Sequence, residues 1–498
     1  MHFENLVKIK TLNHFFNYKL LLLCLCLSLV IISQSYYDPN GNITPDSANY
    51  LRLTKNLLLN RGFMIPNFQV PEGKSFFAAW PVGYPVLIYI VSKFFGLGIF
   101  LASRLLNILA LAIVLFVFRK IFKGNEHWVG LIFFTDTNIS LLTHTWSEIS
   151  FIVFLICTSI LLYKCVVDDV KLKWFVLLFF SGTALFMVRY FGLISIGIIG
   201  LVALMNLIKR KWHLSVKLII VASLQLIFAG LYLYHNYIAS GTISGVTRIS
   251  EPESIIELLK QLISAIIGEL SFIKRGPPLV ITMGMFLLLA VYIFNTRKKS
   301  LSEEKPESLW VYFLLSGLIY YAGIIFARWL SRFDPLGFRL LGPGTFLLIL
   351  SLFSYLQGRP KLKFMNSQIL YIAVLLILTI NYLPAKLDTL KYLSTGNPDF
   401  KIHGYNENLR SILKRYEAVE PHSVILNGPD QLLYLYEDII PSEFNINISK
   451  DDYLKYFADK KSWSFYVDFS NNIDPKKLHE SFYLLMKSNK DKEVVRIQ

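Results

Sequence analysis

Residues 18–59 read YKLLLLCLCLSLVIISQSYYDPNGNITPDSANYLRLTKNLLL. An apolar run from Tyr18 to Ser35, long enough to cross a bilayer, gives way to a polar segment that spells out a helix. Thr44 is placed to cap it, Pro45 to open it and Gly62 to follow its end. Asp46 falls in the first turn, where the positive end of the helix dipole favours an anion. The pattern predicts a membrane span followed by a helix outside the bilayer that carries a single carboxylate.

Working outward, the same apolar texture recurs as far as residue 385 and then stops. The 498-residue chain is 54% hydrophobic and 17% charged, with a mean hydropathy of +0.49, well above a soluble globular composition. Apolar segments near 18–35, 98–118, 127–144, 147–164, 173–188, 190–208, 214–236, 277–294, 309–328, 339–356 and 367–385 read as eleven spans. The expected fold class is an α-helical polytopic membrane protein of about 11–13 transmembrane helices, with external interfacial helices and a small C-terminal α/β domain. The first segment lacks a small-residue cleavage site and is followed by others like it, so it reads as a span and not a signal peptide.

The net charge of +16 does not describe a nucleic-acid binder. Residues 386–498 hold 16 Lys+Arg against 17 Asp+Glu, so all the excess lies in residues 1–385. There it gathers in short loops: Arg119/Lys120/Lys123, Lys209/Arg210/Lys211, Arg297/Lys298/Lys299 and Arg359/Lys361/Lys363. With the N-terminus inside, every one of these clusters falls inside, as the positive-inside rule requires. The external side then holds loop 36–97, loop 237–276, the short loop 329–338 and the tail from 386 to 498. The four cysteines, Cys24, Cys26, Cys157 and Cys165, lie in or beside apolar segments, so neither disulfides nor a cysteine metal cluster is expected.

Within loop 36–97, Tyr84 to Leu97 follows Trp80-Pro-Val-Gly-Tyr-Pro85 and reads as a helix in or near the interface. Ser254 to Ile267 has apolar residues at helical spacing and reads the same way. In the tail, Ser423–Asn427 and Ser464–Phe469 read as strands, and Gln431–Tyr436 and Leu478–Met486 as helices.

The candidate catalytic residues are Asp46, as a base for an incoming nucleophile, and Glu148, in Thr145-Trp-Ser-Glu148 at an external span boundary, where a charge must be solvated or paired. Arg332 and Arg339 flank Phe333-Asp-Pro-Leu-Gly-Phe338, and Arg189 precedes Tyr190. Guanidinium groups placed there would suit a lipid phosphate, or would snorkel or pair with Asp334. Tyr50, Lys55 and Tyr84 complete the candidate substrate-binding set. His144 and His235 stand at external span ends and leave a divalent metal as an open alternative, with no metal ligand set assigned and no cofactor required.

Together these pieces resemble the glycosyltransferase C superfamily, in the branch of protein O-mannosyltransferases and lipid A aminoarabinose transferases. The resemblance rests on Asp46-Ser-Ala-Asn-Tyr50 with Leu53-Thr-Lys-Asn-Leu57, Trp80-Pro-Val-Gly-Tyr-Pro85, Ser147-Glu148, Arg189-Tyr-Phe-Gly192, Asn236-Tyr-Ile-Ala-Ser-Gly241 and Arg332 to Arg339, in that order. It covers about residues 18–385. Asn427-Gly-Pro-Asp-Gln-Leu-Leu-Tyr434 is also similar to tails of bacterial members. The resemblance implies a sugar donor linked to a polyprenyl phosphate, a lipid, polysaccharide or protein acceptor, and Asp46 as the base. Many members have two adjacent acidic residues at this point. Here Pro45-Asp46-Ser47 leaves Asp46 alone, which weakens a metal site in this loop. The expected setting is a bacterial inner membrane with the loops and tail outside, the endoplasmic reticulum being the alternative. A transporter or lipid flippase is the competing class, favoured by Asp136 inside segment 127–144. A polymerase or ligase using a diphosphate carrier is a third, for which the usual large late loop is missing.

Overall fold

The computed structural model describes residues 18–66, 74–122, 124–168, 171–244, 253–269, 308–330, 334–356, 368–383, 405–436, 439–442, 448–456, 463–469, 478–489 and 492–497. Among them, seven helices are long and apolar enough to cross a membrane: Tyr18–Tyr37 (α1), Ile99–Ile121, Glu148–Val167, Tyr190–Ile208 (which opens on a 3-10 turn), Trp212–Ser240, Leu309–Leu330 and Phe338–Leu356. Three shorter apolar helices, Gly83–Phe95, Leu172–Val188 and Gln368–Tyr382, accompany them. At 1.5 Å per residue the 20-residue Glu148–Val167 helix is about 30 Å long, the thickness of a hydrocarbon core. Leu224, Ile227 and Leu231 on Trp212–Ser240 point outward, where lipid would cover them. The chain is an integral, multi-pass membrane protein.

One predicted span is broken. Segment 127–144 forms a short helix Glu126–Gly130, a 3-10 turn Leu131–Phe134 and a second short helix Asp136–Thr143. The run Thr135-Asp-Thr-Asn138 is the cause. Thr135 Oγ1 accepts from the Asn138 backbone N–H at 3.3 Å, and Asn138 Nδ2 donates to the Ile132 carbonyl at 3.0 Å. These side chains satisfy backbone groups that a continuous helix would have paired, which makes an interruption tolerable inside a packed bundle. The predicted span 277–294 lies outside the described residues.

The helix of the opening stretch is Pro45–Leu58 (α2). Thr44 Oγ1 accepts from the Ser47 N–H at 3.3 Å, and Pro45 sits at the first turn. The chain leaves the helix at Asn60, with φ 55°, so Asn60 takes the left-handed position after the helix and Gly62 (φ 67°) serves the following turn. The buried face of α2 packs on the Trp80–Pro85 motif. Tyr50 meets the rings of Trp80 at 5.7 Å and Tyr84 at 5.1 Å, and the Thr54 hydroxyl contacts the Pro85 carbonyl at 3.2 Å.

Leu309–Leu330 (α3) and Phe338–Leu356 (α4) pack closely because Gly344 has no side chain. A Cβ there would fall 2.6 Å from the Tyr321 ring. This seating fixes the start of α4, where Arg339 stands. The amphipathic helix Ile255–Glu269 (α5) lies across α4 and matches the reading of Ser254–Ile267.

The C-terminal unit has a four-stranded sheet, Ile439–Ser442, Ser423–Leu426, Ser464–Asp468 and Val494–Arg496 in that order. The first two pairings are parallel and the last antiparallel. Helices Tyr405–Arg415 (α6), Leu432–Leu435 (α7), Lys450–Tyr456 and Glu480–Ser488 accompany it. The predicted strands and helices of the tail are present. The strands at 439–442 and 494–496 were not foreseen, being too short to show a period. The unit shares an apolar core with the membrane half: Ile43, Ala48, Leu51 and Phe100 pack with Tyr405, Leu433 and Tyr434. The boundary expected at residue 385 lies outside the described residues.

Candidate active site

Four of the candidate residues, from four separate segments, meet at one end of the bundle. Asp46 comes from the first turn of α2. Glu148 opens its helix, Arg189 follows the end of Leu172–Val188, and Arg339 is the second residue of α4. They form a chain of alternating charge. Arg189 Nη1 lies 2.5 Å from Glu148 Oε1, Arg339 Nε donates to the same oxygen at 2.6 Å, and Arg339 Nη2 donates to Asp46 Oδ2. Asp334 is a third, looser carboxylate around Arg339, with Oδ2 3.9 Å from Arg339 Nη1. The charge clusters Arg119/Lys120 and Lys209/Arg210/Lys211 end or join helices that start or finish at the opposite end of the bundle.

Exposure grades along the chain. The Glu148 side chain is 0% exposed, Arg339 21% and Asp46 20%. Glu148 is therefore the anchor that orients two arginines, while Asp46 and part of Arg339 reach the open side. A carboxylate this buried is tolerable only with strong counter-charge, which the two guanidinium groups supply. Burial depresses the Arg189 guanidinium, but the Glu148 charge outweighs it and holds Arg189 above its ordinary value.

Local structure explains the placement. Gly192 lets the 3-10 turn after Arg189 close onto the preceding helix: a Cβ there would fall 2.3 Å from Leu185 backbone. Trp146 ties three parts together. Its indole N–H donates to Thr44 Oγ1 at 2.9 Å, its face lies 4.7 Å from the Arg339 guanidinium carbon, and His144 stacks on it with centroids 3.9 Å apart. The cation–π contact helps to hold Arg339 over the ring. Nothing but its neighbourhood to Glu148 marks Trp146 in the sequence.

The remaining candidates divide. Tyr50 is buried behind Asp46, hydrogen-bonded to Ser147; burial, then the Asp46 and Glu148 charges, push its hydroxyl up, so it stays protonated. Tyr84 is fully buried, with no hydrogen-bond partner for its hydroxyl among the described residues. Both shape the wall and do not face the open side. Lys55 is turned away from the charge chain: its ammonium donates to the carbonyls of Tyr434 at 3.0 Å and Leu435 at 2.9 Å. Arg332 lies outside the described residues.

His144 is neutral at ordinary pH, because burial pushes it down to about 4. Its Nδ1 faces the Ser140 carbonyl at 2.8 Å and so carries the proton. His235 stacks edge-on against Phe76 at 5.1 Å. Among the described residues, no three His, Cys, Asp or Glu side chains are grouped as metal ligands, and Asp46 Oδ2 is paired with Arg339.

No protein-family model matches the chain, and no curated protein matches it. Solved structures do. ArnT from Cupriavidus metallidurans, crystallised bound to undecaprenyl phosphate, is similar with a TM-score of 0.52 and 12% sequence identity, over 94% of this chain and 94% of that one. The oligosaccharyltransferase of Archaeoglobus fulgidus in its apo form is similar with a TM-score of 0.45 and 13% identity, over 91% of this chain and 70% of that one. The chain thus shares the fold of the ArnT structure.

Proposed function

We propose that this protein is an inverting glycosyltransferase that moves a sugar from a polyprenyl-phosphate carrier to an acceptor on the external face of the membrane. The observation that carries the reading is the graded charge chain, in which the partly accessible Asp46 shares a guanidinium with the buried Glu148. The undecaprenyl phosphate held by ArnT supports the carrier class. The setting we assign is a bacterial inner membrane, with the Asp46 end and the C-terminal unit outside.

The chemistry needs little more than these residues. Asp46 takes the proton from the acceptor hydroxyl or amine as its oxygen or nitrogen attacks the anomeric carbon. The bond from that carbon to the phosphate oxygen breaks, its electron pair stays on the phosphate, and the anomeric centre inverts. A phosphate leaves readily as an anion, so no general acid is required, unlike the leaving alcohol of glycoside hydrolysis. Arg339, drawn from Asp46 toward the phosphate, neutralises the developing charge and frees the base in the same movement. Glu148 keeps Arg189 and Arg339 in place throughout and is a positioning residue. Sugar and acceptor identity are left open by this set.

The test is acceptor-dependent release of undecaprenyl phosphate from synthetic undecaprenyl-phosphate hexoses and pentoses by the purified protein in liposomes. Transfer is expected. Movement of the lipid-linked sugar across the bilayer without transfer would instead support the flippase reading, which the broken segment 126–143 favours.

A further inference from the structure

The C-terminal unit reaches the charge chain. Its short helix Leu432–Leu435 lies along α2, fixed at both ends. Lys55, in the last turn of α2, holds the carbonyls of Tyr434 and Leu435. Gln431 Nε2 donates to Asn40 Oδ1, ahead of α2, at 3.2 Å. Asn408 adds a bond to the Pro39 carbonyl at 2.8 Å, and the Tyr405 ring stacks on Phe100 with centroids 4.1 Å apart. In this register the turn before the short helix is set down at the Asp46 end of α2. The turn is tight, with Asn427 at φ 61° and Gly428 where a Cβ would fall 2.9 Å from the Ile425 side chain. The acidic residue it carries is Asp430.

Asp430 is half-buried, and it feels Asp46: burial first, and then the Asp46 charge, raise its carboxyl. Among the described residues no cation pairs with it, while Asp46 has Arg339. The like charges of Asp46 and Asp430 oppose each other, which destabilises the free protein. The cost falls when hydrogen-bond donors enter between them, and it grows when Arg339 leaves for a phosphate. In Glu148 too, Oε2 is buried without a hydrogen-bond partner. Asp430, unlike the fully buried Glu148, is open enough to meet an incoming hydroxyl.

We propose that Asp430, contributed by the C-terminal unit, positions the acceptor by accepting a hydrogen bond from a hydroxyl beside the reacting one. The inference rests on the function proposed above and assigns a polyhydroxylated, glycan-type acceptor. Asp46 takes the proton of the reacting hydroxyl, and Asp430 holds its neighbour without exchanging a proton.

The test uses the full chain in liposomes with undecaprenyl-phosphate sugar donors and two soluble acceptor probes, octyl glycosides and octanol. For Asp430→Ala, KM for the octyl glycoside should rise about tenfold or more, with kcat and donor KM within about twofold, and the preference over octanol should vanish. Asp430→Asn, which keeps an accepting oxygen, should shift KM only a few-fold. Undecaprenyl phosphate binding, read by native mass spectrometry, should be unchanged in both. An unmoved acceptor KM in Asp430→Ala overturns the proposal. So does a joint rise of donor and acceptor KM with a lowered melting temperature, which would mark a docking role. If the wild type transfers no sugar at all, the parent reading fails and this one with it; transfer by the wild type and Asp430→Ala with the same acceptor KM sinks the Asp430 role alone.

Discussion

Two buried carboxyls flank the same helix, α4, and are treated in opposite ways. Glu148 lies near its start against two guanidinium groups, Arg189 and Arg339. Glu269, at the end of α5, lies against Thr345, whose hydroxyl donates to it, with the Tyr321 hydroxyl beyond. Arg339 and Thr345 are six residues apart, about 9 Å along a helix. Both acids are nearly inaccessible. The difference is counter-charge. Glu148 can remain an anion because cations surround it. Among the described residues Glu269 has only hydroxyls for company, beside a small cavity lined by Thr135, Thr137, Asn138 and Gly342, and burial pushes its carboxyl up to about 8. The two polar clusters therefore do different work: one keeps fixed charge for chemistry, the other keeps a neutral acid in a packed helical layer.

Breaking the first cluster should have the larger effect. Glu148→Gln leaves two guanidinium groups around an amide, and the fold should lose about 3–5 kcal/mol, read as a lower denaturation midpoint in detergent, together with transfer activity. Glu148→Asp should recover part of both.

Glu269 sharpens the contrast through pH. Its folded value lies above its unfolded one, so the folded state binds the proton more tightly. Stability from this group is full below about 4.5 and is lost as pH rises toward about 8. Glu269→Gln should flatten that slope and stabilise the protein at pH 8 by about 1–3 kcal/mol, measured by thermal unfolding across that window. A wild-type slope of opposite sign would mean that Glu269 is charged, and the contrast would collapse.

The effect least visible in global stability is expected at Lys55. Lys55→Met removes two charge-assisted bonds to the short helix of the C-terminal unit, about 1–3 kcal/mol of local docking. Limited proteolysis should cut the C-terminal unit faster while the helical bundle melts almost unchanged.

The membrane half was legible because its signals are long. Apolar segments of span length, the Thr44-Pro45 cap and the order of external motifs suffice to put α2, Glu148, Arg189 and Arg339 at one end. Pairing was less legible. Nothing in spacing says that one guanidinium bridges Asp46 and Glu148, since they are 102 residues apart in sequence (148 − 46) and meet only through tertiary packing. Segment 127–144 misled because its average hydropathy hides Thr135-Asp-Thr-Asn138, a capping run that stops a helix. Lys55 looked like a site residue because it shares a helix with Asp46, yet the last turn of that helix faces the C-terminal unit. Asp430 stood in a quoted tail motif, but only docking of the tail puts it beside Asp46.

In the proposed mechanism Asp46 is the base, and Arg339 lets go of it to meet a phosphate. Asp46→Asn tests it most directly, with transfer from undecaprenyl-phosphate sugars and undecaprenyl phosphate binding measured on the same folded preparation. Transfer should fall about 10²–10⁴-fold, the usual weight of a general base, while binding holds or tightens because Arg339 has lost a competing partner. Full transfer by a folded Asp46→Asn protein would contradict the account.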